Sequence, residues 1–218
     1  VLTFLGAMYV SLNNINNAVA NVNDPDRLFV YLKLLTTTDG TLPPFHVFIS
    51  FLGPLLGIAL GFDAVNAEQN NGTLTLLLAQ PVYRDNLLLA KFTGALIVIS
   101  ALFLSLCLLM IGGGLIITGV PIEPVEFFRI LGFIVLSILY VGFWLSLSIC
   151  LSVVFKHAAT SAITAIGIWL FFTVFYGIII KIIVNALLPD TNFMDPAAAL
   201  SYHNLLQDFL RIAPAQLY

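Results

Sequence analysis

Charge is scarce in this sequence. Lys, Arg, Asp and Glu make up 9% of its 218 residues, 60% are hydrophobic, and the mean hydropathy is +1.05. Soluble domains carry about 25% charged residues, so a wholly water-exposed surface is excluded and the bilayer is the expected solvent. The ionisable groups that remain sum to -3, with no basic run to track phosphates and no acidic run to stay disordered. Nucleic-acid partners are therefore not expected. Cysteine is scarcer still, with two residues. Cys107 and Cys150 both sit in apolar runs without a Cys or His at ligand spacing, which reads as two buried small hydrophobes. His46, His157 and His203 are far apart and fall in or near different connections, as interfacial or surface histidines do. His-Glu-x-x-His, Gly-x-Ser-x-Gly and the Gly-x-x-x-x-Gly-Lys-Ser/Thr phosphate loop are all missing. The expectation is a chain with no catalytic residues and no metal or cofactor of its own.

Long apolar runs are present in their place. Residues 44–62, 88–117, 127–155 and 158–184 have the length and composition to cross a bilayer, which takes roughly 20 residues. They lack the alternation of barrel strands, and only helices or closed barrels satisfy their backbone groups in lipid. The expected fold is all-α, a polytopic bundle of transmembrane helices. The chain opens Val-Leu-Thr-Phe, without Met or a charged leader, and residues 1–12 read as the end of a truncated helix. Residues 13–43 read as a polar loop outside the cytoplasm, and residues 185–218 as an outer segment before a missing last helix.

Inside the spans, chemistry is sparse. Between Phe92 and Ile122, and again between Ile130 and Phe155, there is no Asp, Glu, Lys, Arg or His, whereas ion-coupled carriers keep an ionisable relay at membrane depth. Lys181 lies 23 residues past Ala158, about 35 Å along a helix and so near the far interface, where a lysine snorkels. Gly53, Gly57 and Gly61 instead repeat every fourth residue and line one helix face with hydrogen, an arrangement for close packing. Ser148 with Ser152, and Ala158 with Ala162, show the same spacing more weakly. Lys and Arg counts near the spans are too even to orient the bundle.

The connection of residues 63–87 carries the most information. Its order includes Phe62-Asp63, Glu68, Gly72-Thr73-Leu74, Leu77-Leu78, Pro81-Val82, Arg84 and Lys91-Phe92, set directly between two spans. That ordered set resembles the type-2 permease family of ABC exporters. The resemblance implies a six-helix permease that pairs with a second copy in the plasma membrane and docks a separate ATPase subunit, which carries the ATP and Mg. It also implies that residues 63–87 are the cytoplasmic coupling connection, with Asp63, Glu68, Gly72, Thr73, Leu77, Pro81 and Arg84 as its working residues. A short helix on Leu74, Leu77 and Leu78 would then fit a groove on the ATPase. Asn71-Gly72-Thr73 is a glycosylation sequon, and a sugar there would put the loop outside the cytoplasm. The rival reading is a membrane scaffold whose outer segments bind a partner without ATP.

Overall fold

The computed structural model describes residues 45–73, 84–118 and 122–187, together with Gln207, Phe209 and Pro214. Within them all the regular structure is helical. Helix α1 runs Phe45–Gly61, α2 Asn66–Asn70, α3 Arg84–Thr118, α4 Pro124–Val154, α5 Ala158–Leu170 and α6 Tyr176–Leu187, with a π-helical turn at Phe171–Phe175 joining the last two. Four stretches are long and apolar enough to cross a membrane. The expectations for residues 1–43, the Leu74–Leu78 helix and most of 185–218 fall outside the described residues.

The boundaries follow from local chemistry. Pro124 occupies the first turn of α4, where a missing N–H costs nothing, so the helix begins three residues earlier than its apolar run suggests. Helix α3 begins at Arg84, four residues before the expected start, taking Arg84 and Asp85 from the connection into its first turn. At 1.5 Å per residue, its 35 residues extend about 52 Å, well beyond a hydrocarbon core of about 30 Å. Lys156 and His157 are nearly the whole link from α4 to α5, which makes those two antiparallel neighbours. The π-helical turn places one extra residue per turn in mid-span and shifts the register of α6 relative to α5.

Helix α4 is the centre of the bundle. It packs on α1, α3 and α5, and buries Ile130, Ile134, Tyr140, Val141, Trp144, Leu145 and Ile149. Helix α1 lies against α4 rather than simply against its sequence neighbour α3, and the two run parallel. The glycine face makes this possible. A Cβ on Gly57 would sit 2.7 Å from the Val141 carbonyl oxygen, one on Gly53 2.8 Å from Val141 Cγ2, and one on Gly61 2.9 Å from Ser148 Cβ. The two helices therefore approach closely over about two turns, with the backbone of α4 against Gly57 and Gly61, and dispersion contacts replace the hydrophobic drive that lipid does not supply.

Pro54 lies in the middle of α1 and removes the N–H that Ser50 would have received four residues on. The Tyr140 hydroxyl of α4 donates to the Ser50 carbonyl at 3.0 Å and fills that gap. Ser148 likewise donates to the Ile58 carbonyl at 3.1 Å. The Ser50 carbonyl, orphaned by Pro54, is thus met from α4, as a low-dielectric interior requires, while the Ile58 carbonyl accepts from Ser148 in addition to the Phe62 N–H at 2.9 Å. Cys150 departs from expectation: it is exposed, and only Cys107 is half-buried. Cys150 lies toward α3, whereas Ser148 and Ser152 meet α1 and the turn that follows it.

Candidate functional site: the connection after the first span

After Gly61 the chain does not leave the bundle. A turn over residues 62–65 leads into α2, and the Val65 and Asn66 backbone N–H groups donate to the Ser152 hydroxyl oxygen at 3.1 and 3.3 Å. Val65 has no capping side chain of its own, so a serine from the last turn of α4 does the work of an N-cap. Asn66 is fully buried, and Ala67 N–H donates to the Asp63 carbonyl at 2.9 Å. The Asp63 carboxylate stays half-exposed beside this turn.

Glu68 follows on the inward side of α2. Its Oε1 meets Lys91 Nζ of α3 at 2.7 Å, and the two side chains are 25% and 22% exposed. Partial withdrawal from water strengthens this pair over an ordinary surface ion pair, because screening falls with burial. The Thr73 hydroxyl then donates to the Glu68 carbonyl at 3.2 Å, closing the end of the short helix. Gly72 has φ +71, a left-handed conformation that side chains disfavour, with open space where a Cβ would be. Its glycine is needed for the backbone and not for clearance.

The geometry brings Glu68, Gly72 and Thr73 into one unit with Asp63 next to it. Leu77 and Pro81 lie outside the described residues, and of Arg84 only its place at the start of α3 is described. Sequence reasoning assigned Glu68 to an outside partner, but its Oε1 is held internally by Lys91. It missed Ser152, although the Ser148–Ser152 spacing was visible, and it missed Tyr140, although Pro54 announces an unsatisfied carbonyl at Ser50. The outward surface of α2 is instead made by Ala67, Gln69, Asn70 and Asn71. The arrangement has a mechanical property: α2 is pinned to α4 by two hydrogen bonds and to α3 by an ion pair, so displacing it loads two spans together. Among the described residues no cluster of His, Cys, Asp or Glu could hold a metal.

Comparison with known proteins agrees with this architecture. A family model described as "ABC-2 family transporter protein" matches residues 1–218. A probable ABC transporter permease protein NosY from Pseudomonas aeruginosa is 32% identical over 148 residues, covering 66% of this chain and 52% of the relative. The protein of the same description from Stutzerimonas stutzeri is 28% identical over 146 residues, with the same coverage. The chain thus spans about half the length of the curated relatives it matches. With four apolar spans, an all-helical bundle and a family match over its whole length, the chain is a multi-pass membrane protein that belongs to the ABC-2 transporter family.

Proposed function

We propose that this chain is the permease part of an ABC exporter, forming the substrate pathway while a separate subunit binds ATP and Mg and hydrolyses the nucleotide. The observation that carries the reading is the double anchoring of α2, through Ser152 to α4 and through Glu68 to Lys91 of α3. A surface helix that only capped the bundle would need neither tie. One that receives a push from a partner needs both, because a lever must be stiffly joined to what it moves. On this reading residues 63–87 face the cytoplasm in the plasma membrane. Ala67, Gln69 and Asn70 offer the contact surface, while Asp63, Glu68, Gly72 and Thr73 keep the helix in place; Leu77, Pro81 and Arg84 are assigned to the same coupling connection by the family resemblance.

Pairing with a second permease copy is supported by the span made of α5, the π-helical turn and α6. In its most apolar stretch 17% is buried, against 44% for α4. Ile163, Ile166, Phe171 and Phe175 are exposed there. A span with so little cover from its own bundle has the surface for a like neighbour. The scaffold reading has no such structural support.

The test is purification of the full-length protein from native membranes in mild detergent. A soluble Walker-type ATPase should co-purify, and Asn70→Trp on the exposed face of α2 should remove it. Preparations that stay free of ATPase under crosslinking would overturn the reading, as would a glycan on Asn71 after expression in a glycosylating host.

A further inference from the structure

Asn66, the first residue of α2, is out of keeping with the place it occupies. It is 0% exposed, and stands with Trp144, Ile49, Leu145 and Val141 among the largest fully buried side chains of the described residues. Its backbone N–H donates to Ser152 Oγ at 3.3 Å, yet neither Oδ1 nor Nδ2 of the side chain meets a hydrogen-bond partner among the described residues. Two residues on, Glu68 repeats the pattern: Oε1 holds Lys91 at 2.7 Å, while Oε2 is enclosed with no such partner. Leu has the same branching as Asn and carries no polar atom to satisfy, whereas an amide taken from water and left unmet destabilises the position that encloses it.

The seat of α2 is therefore a balance. Two N–H groups on Ser152 Oγ and one partly exposed ion pair favour it, each a modest contribution, and three enclosed polar atoms oppose it. A five-residue helix has no stability of its own to tip the sum. Seated and released positions then lie close in free energy, which is the condition for a two-position element. We infer that Asn66 is a release element: its amide, unmet while α2 is seated and hydrated when α2 lifts, limits the load that the Ser152 and Lys91 ties carry before α2 leaves α3 and α4. The ties still pass a small push to both spans. This deepens the permease reading and rests on it for the source of the push, but the balance belongs to this chain alone and is measured without an ATPase.

The experiment is amide hydrogen exchange on the full chain in lipid nanodiscs with no ATPase present. It is followed at Val65, Gln69 and Asn71, whose N–H groups donate to Ser152 Oγ, the Val65 carbonyl and the Ala67 carbonyl. Asn66→Leu should slow exchange there by at least about tenfold, the factor for one unmet buried polar group, while amides in the middle of α4 keep their rates. Asn66→Val, closer to Asn in volume, should slow them likewise and decides the matter if the leucine variant does not give monodisperse protein. A side chain that helped to hold α2 would give the opposite sign, so faster exchange on its removal would overturn the inference. So would an unchanged rate, the result of an amide already satisfied by a trapped water. Failure of an ATPase to co-purify would remove the source of the push and leave the exchange result standing.

Discussion

At Gly57 one hydrogen atom decides how closely two helices approach. A methyl group there meets the Val141 carbonyl oxygen and the Leu145 nitrogen, at 2.7 and 3.0 Å, and neither backbone atom can rotate away as a side chain would. Gly57→Ala should therefore destabilise by about 1–3 kcal/mol, the usual range for overpacking, and lower the detergent unfolding temperature. Gly72→Ala meets no steric obstacle, and its smaller penalty comes from the left-handed backbone alone. Tyr140 and Pro54 make a pair of a different kind. Tyr140→Phe should cost about 0.6 kcal/mol and at most about 1.7, the average and maximum for hydrogen bonds between membrane helices, by leaving the Ser50 carbonyl without its donor. Pro54→Ala supplies a backbone N–H to that same carbonyl, so the double variant should lose less than the sum of the two single losses. Strict additivity in that cycle would show that the hydroxyl does not compensate for the proline.

Helix α2 has five residues and no stability of its own, since an isolated helix of that length does not outweigh its nucleation cost. What holds it is borrowed from α3 and α4. Ser152→Ala removes the common acceptor of two N–H groups, and amide exchange at Val65 and Asn66 should accelerate while the rest of the bundle stays protected. Glu68→Lys sets two ammonium groups against each other and should uncouple nucleotide hydrolysis from transport without unfolding the protein. Adding Lys91→Glu restores opposite charges at the same spacing and should recover coupling, with a pair energy on the order of 1 kcal/mol. If the reversed pair behaves no better than Glu68→Lys alone, the ion pair is not the link between α2 and α3.

For the whole molecule, the division into a covered hub and exposed flanks is what function would use. Helix α4 is shielded by α1, α3 and α5, while the α5–α6 span presents Ile163, Ile166, Phe171 and Phe175 to its surroundings. Chemical crosslinking in native membranes should join two copies through cysteines placed at Ile163 or Ile166. Cysteines on the α4 face at Trp144 or Leu145 should give no such product, because those side chains are 1% and 0% exposed.

The sequence by itself determined the solvent, the helical class and the four spans. Those depend on hydrophobic length and on the obligation to satisfy backbone groups in lipid, both of which are local properties of a run of residues. The Gly53, Gly57 and Gly61 face announced close packing for the same reason. Only the tertiary structure decided which helix fills that face, because a stripe of hydrogen carries no address: the partner is α4, with Val141, Leu145 and Ser148 against it. It also turned Glu68 inward to Lys91, gave Ser152 to the start of α2 and left Cys150 exposed. The two pairings each cross more than 20 residues of chain and the exposure of Cys150 depends on which face of α4 is covered; all are set by how parallel and antiparallel helices come to lie side by side, and no spacing along one helix specifies them.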